Sequence, residues 1–148
     1  MSRPKDKSSP ALPRAVEVVE RQARFRGYLH VDRYFVRHEL FSGGMSQPLS
    51  REVVERGHAA GVLPYDPRLD AVVLIEQFRA GAYAAGRPPW LVEIVAGMVE
   101  PGETPETVVR REALEEAGCR LKRLAPIADI LLSPGVMSET IALYCGEV

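Results

Sequence analysis

Between Gly97 and Cys119 the chain reads GMVEPGETPETVVRREALEEAGC, with Glu100, Glu103, Glu106, Glu112, Glu115 and Glu116 beside Arg110 and Arg111. Pro101 and Gly102 suit a type II turn between Glu100 and Glu103. Thr104 is a natural N-cap with Pro105 at the first helical position, and Gly118 is the stop, so the pattern predicts a helix over about 105–117. At about 100° per residue, Glu112, Glu115 and Glu116 fall at i, i+3 and i+4 and crowd one region of its surface. Glu112 and Glu116 share their arc with Val108, Val109 and Ala113 and so face partly inward, where unpaired charge is costly. Carboxylates half out of water need a cation among them, or one of them takes up a proton. The alternative is a solvated acidic face neutralised by Arg110 and Arg111. An all-oxygen donor set without His or Cys suits Mg²⁺, or Mn²⁺ in its place, rather than zinc.

Elements must position such a site, and 148 residues suffice for one domain with a real core. Lys+Arg 19 against Asp+Glu 20 gives a net charge of −1, so no global field favours nucleic acid or an anionic membrane. No apolar run approaches the roughly 18 residues of a membrane span. MSRPKDKSSPALPR is proline-broken and lacks an apolar signal core, so residues 1–14 read as a disordered tail. Cys119 and Cys145, without CxxC spacing, read as small buried hydrophobes, and the expected location is cytoplasmic.

After the tail, AVEVVERQARFRGYLHVDRYFVRHEL alternates as strands do, and FSGGMSQP is a turn. REVVERGHAAGVLPYD reads as a strand region, AVVLIEQF as a strand buried on both faces, AGAYAAGRPP as a loop and WLVEIVAG as a strand. Past the helix, LKRLAPIADILL is extended, SPGVMSE is a loop and TIALYCGEV is a last strand. Trp90 reads as core.

Gly97, Glu103, Arg111, Glu112, Glu115, Glu116 and Gly118 stand at the spacing GX5EX7REUXEEXGU (U hydrophobic), with Ala113 and Cys119 small for U. This resembles the Nudix box at every charged and glycine position. The resemblance implies an α/β (α+β) Nudix fold, an α/β/α sandwich with a mixed sheet, here preceded by a small N-terminal antiparallel sheet. It divides the chain into a β-strand region over 15–56, for dimerisation and adenine contact, and a catalytic domain over 57–148. It implies a loop–helix–loop that binds Mg²⁺, two or more ions per site, and hydrolyses a nucleoside diphosphate linked to another moiety. Glu112 and Glu116 would be the principal metal ligands with Glu115 near them. The carbonyl of Ala96 would be a further ligand, Arg111 would orient a carboxylate, and Glu103 would brace the loop.

RGYLHVDRY, LSREVVERGHAA, LIEQFR, PWLVEIVAGMVEPGE and SPGVMSE, with Pro134 sixteen residues after Gly118, together resemble the bacterial ADP-ribose pyrophosphatase subfamily. That resemblance implies hydrolysis of ADP-ribose to AMP and ribose 5-phosphate in a homodimer with swapped N-terminal strands. Tyr28, with Leu29 beside it, and Arg51-Glu52 from the partner would sandwich the adenine. Arg56 and Arg79 would lie near the diphosphate or ribose, and Met98, Ser133, Gly135 and Glu139 would line the rest of the pocket. Taken singly, Tyr28 is equally a half-buried strand aromatic, and Arg51 and Arg56 exposed strand charges.

Members of the subfamily continue for several dozen residues beyond the strand that ends here at Val148, and in some the carboxylate that activates water lies in that stretch. The chain therefore reads as a C-terminally truncated form, with Glu139 as its remaining base. The alternatives are a Nudix hydrolase of another nucleotide sugar such as GDP-mannose, or of an oxidised nucleotide, and a non-catalytic ADP-ribose-binding sensor.

Overall fold

A computed structural model describes residues 14–148. The tail read over 1–14 lies outside the described residues except for Arg14, whose backbone N–H donates to Glu39 Oε2 at 2.9 Å. The chain divides between Val54 and Glu55 into two compact units.

The N-terminal unit is the sheet β1 (Val16–Arg26), β2 (His30–His38) and β3 (Leu49–Glu55), in that order. β1 and β2 pair antiparallel from Val16↔His38 to Arg26↔His30, with register shifts between Val18 and Glu20 and between Ala23 and Phe25. Alternation in the sequence made these strands legible. Asp32 is buried on β2, and Arg21 and Arg26 of β1 both pair with it. The Arg26 guanidinium, then that of Arg21, hold its carboxyl below the ordinary 3.8 against the opposing effect of burial. A depressed carboxylate stabilises the fold fully above its unfolded value and loses that contribution as pH falls through the folded one. The melting temperature should therefore fall as pH drops below about 4, in part through Asp32. In Asp32→Asn the acid limb should be flatter and the neutral-pH melting temperature lower, since one change removes the buried charge that two arginines share. Parallel pH–melting curves for the two proteins would rule out the clamp.

The C-terminal unit comprises β4 (Ala59–Asp66), β5 (Ala71–Val72), β6 (Ile75–Phe78), α1 (Ala80–Ala84), β7 (Trp90–Glu93), β8 (Val95–Met98), α2 (Pro105–Ala117), β9 (Leu124–Leu131) and β10 (Thr140–Glu147). Its sheet runs β5-β4-β10-β9, with β8 also on β4. β4 and β10 are parallel and the other pairs antiparallel, so the sheet is mixed. α2 packs on β4 and β8, burying Val108, Val109 and Ala113 against Ala60, Val62 and Val95. Among the described residues no helix is long and apolar enough to cross a membrane.

Two apolar stretches and one aromatic residue differ from the sequence reading. AVVLIEQF is not one strand buried on both faces. It divides into β5 at the sheet edge and β6, which pairs with β7 in a separate two-stranded ribbon, and Val72, Leu74 and Phe78 stay exposed. WLVEIVAG is two strands, β7 pairing with β6 and β8 with β4, which change partners at Ile94. Trp90 is not core: it is 61% exposed and meets Phe78 edge-on at 5.8 Å. In addition, the loop AGAYAAGRPP contains the short α1, and REVVERGHAAGVLPYD is broken between β3 and β4, where Gly57 takes φ 91°. Cys119 and Cys145 are free and half-buried.

Candidate active site

The loop before α2 and the helix itself form as their residues dictate. Gly102 takes φ 91° in the turn, and Glu103 N–H donates to the Glu100 carbonyl at 3.0 Å. Thr104 accepts from Thr107 N–H at 3.2 Å while Thr107 Oγ1 accepts from Thr104 N–H at 2.9 Å, a reciprocal cap with Thr where Glu is usual. Gly118 closes the helix at φ 64°, and Cys119 N–H reaches the Ala113 carbonyl at 2.8 Å.

The turn and helix are joined through Arg111. Its guanidinium donates to Glu103 at 3.2 and 3.3 Å, to Glu112 Oε1 at 2.6 Å and to Glu115 Oε2 at 3.3 Å. Arg111 is held further toward its charged form by Glu103 and then Glu112. Glu103 lies below the ordinary carboxylate range, through Arg111 first and the Glu100 N–H second. Glu112 points inward, its side chain 14% exposed. Glu116 does not face inward with Glu112 as their shared arc predicts: it is exposed at the helix surface, where its Oε1 accepts from Gln77 Nε2 at 2.7 Å.

Gly97 makes room for Glu112. A Cβ there would lie 2.1 Å from Glu112 Oε1 and 2.4 Å from its Cδ, so only hydrogen fits beneath the carboxylate. That cradle, together with oxygen donors on Glu112, Glu115, Glu116 and the Ala96 backbone, fits a hard divalent cation. The carboxylates are nevertheless dispersed: Arg111 stands against Glu112 and Glu115, and Glu116 turns to Gln77. Among the described residues no three His, Cys, Asp or Glu groups already form a metal cage.

Beside this corner lies a cavity of about 530 Å³ with an apolar floor of Ala59, Ile94, Leu132 and Ile141. Its polar wall carries Arg56, Arg79, Glu93 and Glu139, and Ala96 and Gly97 border it. Arg79 donates to Glu93 through Nε at 3.0 Å and Nη2 at 2.6 Å, which reinforces its charge. Glu139 is 3% exposed and faces Arg56 Nη1 at 3.5 Å, while Arg56 Nη2 contacts Met98 Sδ at 3.3 Å. Parallel pairing of β4 with β10 brings Arg56 and Glu139, each just before its strand, to the same sheet end. His58 Nδ1 at 2.9 Å from Thr140 Oγ1 ties the two strand starts together. A second hollow, of about 350 Å³, is lined by Tyr65 and Cys145 toward the other end of these strands.

The structure thus gathers Arg56, Arg79, Ala96, Gly97 and Glu139 around one cavity, with Met98 bonded to Arg56. Ser133 and Gly135 lie in the loop before Glu139, where the Ser133 carbonyl accepts from Val136 and Met137 N–H. Tyr28, Leu29, Arg51 and Glu52 belong to the N-terminal unit. Tyr28 is not a half-buried strand aromatic: it is 90% exposed in the β1–β2 turn. Arg51 donates to the Ser50 carbonyl, and Glu52 pairs with Arg33 at 2.6 Å. Sequence reasoning missed Gln77, Glu93 and His58. For Gln77 and Glu93, the available signal was a polar residue inside an otherwise apolar run.

A sequence model of the NUDIX domain matches residues 55–141. The chain is 52% identical over 133 residues to the ADP-ribose pyrophosphatase of Escherichia coli K12, covering 90% of this chain and 64% of the relative. It is 43% identical over 136 residues to the ADP-ribose pyrophosphatase of Haemophilus influenzae, covering 90% and 63%. It is 40% identical over 98 residues to the GDP-mannose pyrophosphatase of Cronobacter sakazakii, covering 66% and 51%. The chain therefore spans less than two thirds of the length of these relatives. A crystal structure of an ADP compounds hydrolase superposes with a TM-score of 0.68 at 18% identity, over 95% of this chain and 70% of that one, which shows a shared mixed α+β fold. With the box complete and the NUDIX model matching residues 55–141, more than half of the chain, the chain belongs to the Nudix family.

Proposed function

We propose that the chain carries the catalytic site of an ADP-ribose pyrophosphatase, in which water is added across the diphosphate of ADP-ribose to give AMP and ribose 5-phosphate. The 52% identity over 133 residues to a relative of that name carries the reading, and the complete box beside a cavity lined by two arginines supports it. Glu112 and Glu116, with Glu115 and the Ala96 carbonyl, hold Mg²⁺, two or more ions per site. A metal held there would supply charge neutralisation at the phosphates and ease the ionisation of water.

The chain's own groups do the rest. Arg111 fixes Glu112 and ties it to Glu103, so that the turn and the helix keep one geometry. Arg79 and Arg56 present planar forks to the diphosphate oxygens. Glu93 and Glu139 hold these arginines at the wall before substrate arrives. Glu139, buried at the cavity, accepts a proton from the attacking water. Met98, Ser133 and Gly135 border the ribose side. Tyr28 and Leu29, with Arg51 and Glu52 of a second copy, clamp the adenine in a homodimer with swapped N-terminal strands. The exposed Val16, Val18, Val19 and Phe25 of β1 give that dimer an apolar surface. The chain acts in the cytoplasm on free nucleotide sugars.

A second reading, hydrolysis of GDP-mannose, is favoured by the 40% identity over 98 residues to such an enzyme. Measuring kcat/KM for ADP-ribose, GDP-mannose, NADH and 8-oxo-dGTP with Mg²⁺ separates the two. ADP-ribose should lead the panel, whereas a higher value for GDP-mannose would replace the first reading with the second.

A further inference from the structure

We propose that Gln77 is a positioning residue of the metal site, its side-chain amide setting the orientation in which Glu116 meets a divalent cation. The proposal rests on the reading of Glu112 and Glu116 as ligands. Gln77 lies on β6, outside the box, and its Nε2 donates to Glu116 Oε1 at 2.7 Å across 39 residues of sequence. Glu116 also differs from its neighbours in what holds it. Glu103, Glu112 and Glu115 are all engaged by the Arg111 guanidinium. Arg79 is occupied by Glu93 and acts on Glu116 only by charge attraction at longer range. Among the described residues, Glu116 is thus the box carboxylate held by a side-chain amide and not by the Arg111 guanidinium.

That choice of donor has a chemical consequence. A guanidinium at this position would compete with a metal ion for the carboxylate's charge. An amide N–H fixes one carboxylate oxygen and leaves the full negative charge for the cation, as the partners behind metal ligands generally do. The strand makes the placement possible. Gln77 and Arg79 are two residues apart, and Arg79, just past the end of β6, keeps an extended backbone (φ −120°, ψ 105°), so the alternation of extended chain sends both side chains to one side. β6 is held by antiparallel pairing with β7, Gln77 opposite Leu91, and by the contact of Phe78 with Trp90. The strand therefore aligns a ligand carboxylate on the helix, and Arg79, between β6 and α1, reaches the cavity.

The test is Mn²⁺ binding to the 148-residue chain without substrate, followed by titration calorimetry and by the electron paramagnetic resonance signal of the free ion. The proteins compared are wild type, Gln77→Met, Gln77→Ala, Glu116→Gln, Glu112→Gln and the double variant Gln77→Met/Glu116→Gln. Gln77→Met and Gln77→Ala should each weaken Mn²⁺ binding by about 10- to 100-fold. Their melting temperatures in EDTA should stay at the wild-type value, because Gln77 is only half-buried. In the Glu116→Gln background the Met substitution should add no further loss, since it acts through Glu116. Wild-type affinity in both Gln77 variants, with weakened binding in Glu116→Gln, would overturn the proposal and leave the metal site standing. Unchanged binding in both Glu112→Gln and Glu116→Gln would remove the site itself, and this proposal with it.

Discussion

Glu112→Gln should lower kcat for Mg²⁺-dependent hydrolysis by roughly 10³-fold, while leaving the melting temperature within a few degrees of wild type. Catalytic metal ions contribute several kcal/mol of transition-state stabilisation, and each 1.36 kcal/mol is tenfold in rate. Glu112 is the inward carboxylate of the box, lying in the cradle over Gly97. The neutral amide keeps its volume but offers the cation no charge. The fold should survive, because Arg111 retains Glu103 and Glu115 as partners and because α2 is anchored through Val108, Val109 and Ala113 rather than through its carboxylates. Steady-state kinetics with a thermal melt check both halves, and a variant within tenfold of wild-type kcat would remove Glu112 from the ligand set.

Gly97→Ala should separate activity from stability in the same way by a steric route. The added methyl would fall 2.1 Å from Glu112 Oε1, so one of the two must move. Gly97 is not among the glycines with a left-handed φ, so alanine imposes no backbone strain, and what stands in the way is the Glu112 side chain from Cγ outward. Glu112 is therefore the group that swings aside. Displacing a ligand without unfolding its helix should reduce activity by about 10- to 100-fold and raise the Mg²⁺ concentration needed for half-maximal rate. A wild-type Mg²⁺ dependence in Gly97→Ala, measured alongside far-ultraviolet circular dichroism, would show that the close approach has no bearing on the metal.

The box was legible because local rules fix it. Turn, cap, helix and stop are each written in neighbouring residues, and Thr104, Pro105, Gly102 and Gly118 all occupy the roles their types demand. The cavity wall was legible only in part. Arg56 and Glu139 stand 83 residues apart, and only the parallel pairing of β4 with β10 explains why they meet. AVVLIEQF and WLVEIVAG misled for a related reason. An apolar run looks the same whether it crosses a sheet centre or, as here, changes sheets midway, and the switch at Ile94 depends on partners far along the chain. Gln77 and Glu93 went unnoticed because their meaning lies in Glu116 and Arg79, which no spacing rule connects to them.

Phosphorus-31 magnetic resonance of ADP-ribose incubated with the 148-residue chain and Mg²⁺ reads the cleaved bond itself. The diphosphate signals should disappear, matched by equal amounts of AMP and ribose 5-phosphate, with turnover abolished by EDTA and restored by added Mg²⁺. Persistence of the diphosphate signals with Mg²⁺ present, or turnover that EDTA does not touch, would contradict metal-dependent hydrolysis of ADP-ribose by this chain.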